Sequence, residues 1–233
     1  MSDPMDLFGR ALLDHLHNRS RGPFHVIVGD VEESLDLGFF FAEVPEDFEL
    51  KPLEAARGRI LDVGCGAGRI LKFLQQRGHD AHGSDIAPGA VQACVERGVR
   101  NVWVGSHADE DQHGIYNTVL LLNRVLATAG SLEGIVGLLR RCGSWTGPEG
   151  IVIFDSLEIR PELANDGPGV LKMLLRFKYD GAVSEEWPYV HIGSEVAERL
   201  VREAGWEVMG VSRSRDRYAM TCRKRGLGRE CDG

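Results

Sequence analysis

From residue 58 onward, short runs that are apolar throughout alternate with stretches whose apolar residues recur every three or four positions. The apolar runs predict buried strands over 59–64, 80–85, 101–106, within 117–126, and over 150–156. The amphipathic stretches predict helices over 69–78, 88–98, 131–143 and 194–205. Pro88 suits a first turn, Ser131 an N-cap, and Gly78, Gly98 and Gly205 helix ends. Apolar strands alternating with helices predict a parallel sheet covered on both faces.

The flanks read differently. Phe8, Leu12 and Leu16 share one face of a helix over 5–18. Residues 20–56 show no clear period, and Phe39, Phe40 and Phe41 either pack on the core or form a lid over a ligand site. After residue 157 the alternation lapses, and the turn pair Asp180-Gly181 suggests two strands around it. The stretch 157–192 therefore reads as an insertion after the fifth strand, and 206–224 as two closing strands joined by a polar turn. The division expected is a helix and lid segment over 1–56, a main domain over 57–225 holding the insertion, and a frayed tail over 226–233.

At 233 residues the chain is long enough for a real core. Its net charge of −8 gives no general attraction to nucleic acid or anionic lipid. The basic stretch "RSRDRYAMTCRKRGLGR" near the end reads as a solvated strand edge and tail. The five cysteines, Cys65, Cys94, Cys142, Cys222 and Cys231, are odd in number and lack C-x-x-C spacing. That pattern suits a reducing cytoplasm and offers neither a disulfide framework nor a zinc site. The first residues do not resemble a signal peptide, and no uncharged run approaches the ~20 residues of a membrane span.

The segment "RGRILDVGCGAGRILKFLQQRG" carries the chemistry, with Gly64, Gly66 and Gly68 between a strand and a helix. In a doubly wound sheet, ligands sit beyond the carboxyl ends of the strands, where the strand order reverses. Glycines let the backbone approach the ligand there, and the N–H groups opening the helix face it. A dinucleotide-binding G-x-G-x-x-G frame fails at its last position, which is Arg69. "LDVGCGAGR" instead resembles the first motif of class I S-adenosylmethionine-dependent methyltransferases, an acid followed by G-x-G-x-G, matched by Asp62, Gly64, Gly66 and Gly68.

A second position agrees. Asp85 lies 21 residues after Gly64, where a carboxylate for the ribose hydroxyls is expected, and its "D-I-x-P-x-A-V" context is similar to the family's second motif. The resemblance covers 58–156 well and 194–223 loosely. It implies an α/β, Rossmann-like sheet of seven mostly parallel strands with helices on both faces and an antiparallel closing hairpin. The lid and the insertion would be additions to it. It implies S-adenosyl-L-methionine as cofactor, with Cys65 as a small loop residue, Ile86 beside the adenine, and Asn123 facing the transferring methyl. Ser106 and His107 occupy the turn that meets the adenine, with Asp109 slightly later; which of them makes the contact stays open. In the fourth motif Asn117 stands where the family has an acid.

Methyl transfer from a sulfonium needs proximity and alignment, and often a base for the acceptor proton. His191, just before the last helix, is the candidate base, with His107 second; His79 and His82 lie at the wrong end of the sheet. Phe40, Arg176, Trp187 and Tyr189, from the stretches outside the resemblance, are the candidate acceptor-binding residues. The acidic run Asp109-Glu110-Asp111 reads as a solvated loop rather than a metal site. The expected function is transfer of the cofactor's methyl to an O, N or S atom of a small molecule, by a cytoplasmic monomer or homodimer without nucleic-acid or membrane partners. The alternatives are a protein or RNA acceptor, or a cofactor-binding protein without catalysis.

Overall fold

The apolar runs pair into one large sheet, and the stretches without a clear period build a second one against it. The computed structural model describes residues 2–109, 112 and 114–226. The chain opens with α1 (Pro4–Leu16), the hairpin strands β1 (Phe24–Val28) and β2 (Val31–Leu35), a 3-10 turn over 37–41, and α2 (Asp47–Leu53). Then come β3 (Arg59–Val63), α3 (Arg69–Gln76), β4 (Asp80–Asp85), α4 (Pro88–Glu96), β5 (Val102–Val104) and β6 (Tyr116–Leu121). A second 3-10 turn over 125–129 leads to α5 (Leu132–Ser144) and β7 (Thr146–Leu157). The insertion supplies β8 (Val170–Tyr179), β9 (Ala182–Val183) and β10 (Trp187–Ile192), followed by α6 (Ser194–Glu203), β11 (Trp206–Ser214) and β12 (Arg217–Lys224).

The large sheet has seven strands in the order β11-β12-β7-β6-β3-β4-β5. Strands β3 to β7 run parallel, while β12 joins β7 antiparallel and carries β11 as the closing hairpin. The expected α/β architecture is therefore present. Alternate residues separate its faces. Leu61, Val63, Val119, Leu121, Val152 and Phe154 pack with α5 and α6, while Ile60, Leu120, Leu122, Ile151 and Ile153 pack with α3. The chain leaves β3 toward β4 on one side and reaches β6 on the other. The strand order thus reverses beside β3, which opens a crevice at the carboxyl ends.

The second sheet is antiparallel, in the order β10-β8-β1-β2 with β9 on β8. Its turn at Asp180-Gly181 has φ of +50° and +74°, the left-handed pair that a two-residue hairpin favours. The hairpin β1–β2 is a structural feature that the irregular sequence pattern did not reveal. Its signal was the pair Gly29-Asp30 between Val28 and Val31, which face each other in the register. The N-terminal segment and the insertion, far apart in sequence, meet through β1 and β8, with His25 opposite Lys178 and Val28 opposite Leu175.

Two arginines fasten the N-terminal segment to the large sheet. Arg69 makes a two-pronged pair with Glu49 of α2 at 2.7 Å for each bond, both residues buried, and its guanidinium lies 4.4 Å from the Phe39 ring centre. Arg97 donates to the carbonyls of Phe40, Phe41 and Ala67. The residue that spoiled the dinucleotide frame thus has a structural partner. Removing Arg69 leaves Glu49 buried without its ion-pair partner. Arg69→Met should cost about 3–5 kcal/mol, roughly 6–20 °C in Tm, and Arg69→Met/Glu49→Leu should recover most of it. Thermal unfolding of the three proteins checks this; a single variant within about 2 °C of the parent would contradict it.

Candidate active site

The loop between β3 and α3 is held by backbone and one carboxylate. Gly64, Gly66 and Gly68 have φ of +70°, +56° and +80°, a region that side-chain-bearing residues avoid. The N–H groups of Gly64 and Cys65 donate to the Ser84 carbonyl at 2.7 and 3.1 Å. Asp85, at the end of β4, accepts from Gly66 N at 2.8 Å and from Ala87 N at 2.8 Å. A Cβ at Gly68 would come within 2.9 Å of Cys94 Sγ and Val99, so this glycine also permits close packing.

A cavity of about 450 Å³ lies between these strand ends and the second sheet. Gly64, Gly66, Asp85, Ile86, Ser106, His107 and Asn123 line it from the large sheet, and Phe40, Trp187, Tyr189 and His191 from the other side. Asp62 and Cys65 line a small adjoining space with Phe40, Gly64, Gly66 and Asn123. Gly68 lines neither space. Arg176 does not line the cavity, contrary to the expectation. Side chains alternate along a strand, and on β8 it is Met173, Leu175 and Phe177 that face inward, so Arg176 belongs to the opposite face.

Three expectations about polar residues are sharpened. The Asp109 carboxylate accepts from Ser106 N at 2.7 Å and so braces the turn, leaving Ser106 and His107 as its cavity-lining residues. Asn117 sits at the opposite end of β6 from Asn123 and accepts from Arg59 N at 2.9 Å, which makes it a strand-edge tie. His191 is 3% exposed, and its Nδ1 has no partner among the described residues. Burial, aided by Arg124, lowers its pKa to about 4, so the imidazole is neutral at pH 7. Burial likewise lowers the His107 pKa and raises the Tyr189 pKa to about 12. Glu110 and Asp111 of the acidic run, and 227–233 of the expected tail, lie outside the described residues.

The pattern reading missed Arg124 and much of the apolar wall. Asn123 and Arg124 leave β6 with φ of +57° and +67°, two consecutive left-handed residues. That conformation costs energy for non-glycine residues and concentrates at functional sites. It is held here by Arg124 N donating to Asp155 Oδ1 at 2.7 Å and by the Tyr189 hydroxyl donating to the Arg124 carbonyl at 3.1 Å. Asp155 is in turn paired with Arg217 at 3.0 Å. Met5 and Phe8 of α1, Val26 and Val28 of β1, and Leu35 of β2 complete the wall. Parity along β1 was readable once β1 was recognised as a strand.

A glycine loop, a carboxylate at the next strand end and a crevice at the order reversal together define a nucleoside-binding α/β domain. The methyltransferase-domain family model matches residues 40–211, most of the chain, and the chain belongs to that family, with the fold of the class I S-adenosylmethionine-dependent methyltransferases. A ubiquinone biosynthesis O-methyltransferase of Azorhizobium caulinodans is 37% identical over 115 residues, 46% of this chain and 43% of that protein. A 2-heptyl-1-hydroxyquinolin-4(1H)-one methyltransferase of Mycobacteroides abscessus is 40% identical over 62 residues, 25% of this chain and 27% of that one. The matched segment is thus less than half the length of either relative. A solved methyltransferase of Bacteroides fragilis, in complex with S-adenosyl-L-homocysteine, shares the fold over 97% of both chains, with a TM-score of 0.85 at 21% identity.

Asp62 is 3% exposed, and its pKa is raised by burial, against the pull of Arg69, from 3.8 to about 8. Between those two values the unfolded chain has released this proton and the folded chain keeps it, so Asp62 lowers stability progressively as pH rises through that window. Asp62→Asn removes the titration. Its Tm relative to the parent should rise steadily from pH 5 to pH 8. Differential scanning calorimetry across that range checks this, and a pH-independent difference would show that Asp62 does not titrate so high.

Proposed function

We propose that the protein transfers the methyl group of S-adenosyl-L-methionine to a small molecule, with oxygen the preferred acceptor atom. The observation that carries this reading is the cavity of about 450 Å³, which joins the glycine loop and Asp85 on one wall to a largely apolar second sheet on the other. The residues suit the cofactor. The glycines leave backbone free beside the cavity, Asp85 offers carboxylate oxygens to the ribose, and Asn123 brings a buried Oδ1 without a partner among the described residues. Asp62 and Cys65 border the adjoining space, Ile86 and the Ser106-His107 turn would flank the base, and Gly68 starts α3 beneath it. When bound, the cofactor supplies an electrophilic methyl on sulfur.

This chain's residues would do the rest by placement. Phe40, Trp187 and Tyr189 hold the acceptor's apolar body and exclude water. His191, neutral and with a free Nδ1, accepts a hydrogen bond from an acceptor hydroxyl and orients it. A group whose pKa lies near 4 is a weak base at pH 7, so His191 assists acceptors that release a proton easily. The oxygen preference draws support from the O-methyltransferase relative. A cavity of about 450 Å³ between two sheets suits a small molecule better than a folded protein or RNA, and the net charge of −8 speaks against nucleic acid. A cytoplasmic monomer or homodimer without a membrane partner belongs to the same reading.

Asp85→Asn keeps the volume and removes the charge. It should weaken S-adenosyl-L-homocysteine binding by about 1.5–3 kcal/mol, read by calorimetric titration; unchanged affinity would remove Asp85 from the cofactor site. For the reaction, the protein is incubated with methyl-labelled cofactor and a cell extract, and small molecules are separated from macromolecules. Label is expected in the small fraction. Label only in macromolecules would transfer the reading to a protein or RNA acceptor, and tight cofactor binding with no label in either fraction would favour a non-catalytic binder.

A further inference from the structure

Among the described residues that line the cavity there is a single arginine, Arg124, and no lysine. Elsewhere in the interior, guanidinium groups have partners inside the protein: Arg69 with Glu49, Arg97 with three carbonyls, Arg141 with the His107 carbonyl, and Arg217 with Asp155. The half-buried Arg124 side chain makes no ion pair or hydrogen bond among the described residues, while its backbone is fixed at both N–H and carbonyl. A positioned cation taken partly out of water without a counter-charge is completed by one that arrives with the ligand.

The other charged groups that line the cavity do not fill that role. Asp85 is engaged by two loop N–H groups, and Glu33 stands exposed on β2 of the facing sheet, with no hydrogen bond or ion pair to Arg124. His107 and His191 add no positive charge at neutral pH, since burial lowers the pKa of each. Opposite lies an apolar surface made by Val26, Val28, Leu35, Met173, Leu175 and Phe177.

We propose that Arg124 selects an acceptor that carries an anionic or readily ionised oxygen on an apolar body, the oxygen pairing with the guanidinium and the body resting on the second sheet. This rests on the small-molecule reading above and narrows it. Lysine would keep the charge and lose the planar fork, so Arg124→Lys should be intermediate and Arg124→Met severe.

Two fluorescent probes with the same ring skeleton separate charge from apolar binding. These are 8-anilinonaphthalene-1-sulfonate, an anion, and N-phenyl-1-naphthylamine, which lacks the sulfonate. Each is titrated into the full chain with saturating S-adenosyl-L-homocysteine, so that only acceptor space remains. The parent should bind the anion at least about tenfold more tightly than the neutral probe. Arg124→Met should lose about ten- to a hundredfold for the anion, the range for a charged hydrogen bond, and stay within about twofold for the neutral probe. Equal affinity of the parent for both probes overturns the proposal without reliance on any variant, as does an Arg124→Met protein with undiminished anion binding. Label transfer to small molecules alongside equal probe binding would keep the methyltransferase reading and discard the role of Arg124. Charge-selective binding without label in any fraction would do the reverse.

Discussion

A carboxylate shut away from water must find its hydrogen bonds inside the protein. Asp85 takes them from Gly66 N and Ala87 N, at 2.8 Å each. Those two bonds tie the end of β4 to the middle of the glycine loop and to the start of α4. The loop cannot relax away from the sheet without stranding the carboxylate, and its left-handed glycines give it a shape that other residues would strain. The cavity on one side of this knot, and the buried Cys65 and Cys94 beneath it, follow from where the loop is held. The carboxylate proposed to bind a ligand's ribose is also the fastener of the loop.

The second sheet obeys a different constraint. Its inward residues alternate with outward ones on β1, β8 and β10, which lets one face serve as a cavity wall. Its two halves come from opposite ends of the chain, so the wall exists only after β1 has paired with β8. Arg69 and Arg97 hold the intervening segment against α3 and the glycine loop. Any displacement of α2 would therefore be felt at Phe39, Phe40 and the loop they touch.

These two constraints explain what could be read from the sequence. The β3–α3–β4 unit was legible because its signals are local: an apolar strand, three glycines, and an acid one strand later. The hairpin β1–β2 was not, because β2 is exposed over most of its length and shows no alternation of burial. What makes β1 and β2 strands is pairing across the fold, together with a turn pair easily passed over. Arg176 was misplaced for a related reason. Composition marks a stretch as rich in pocket-forming residues, but only the register of β8 decides which parity faces inward. Arg124 had no local signature at all. Its importance lies in a left-handed backbone without glycine and in a missing counter-charge, and neither exists before the chain folds.

The site also shows where stability has been given up. Asp62 keeps a proton that an unfolded chain would release, His191 forgoes one that an unfolded chain would hold between about pH 4 and 6.5, and the side-chain Oδ1 of Asn123 has no partner among the described residues. Two consecutive left-handed residues add backbone strain beside them. The surrounding core is well placed to tolerate this, since β3, β6 and β7 are packed on both faces and Asp155 locks the strained pair from below. Three residues with a buried atom unpartnered among the described residues, His107, Asn123 and His191, line the cavity, where a ligand could reach them under the proposed function. A polar group left unsatisfied in a packed interior is a defect; the same group beside a ligand-sized cavity is a specification of what enters it.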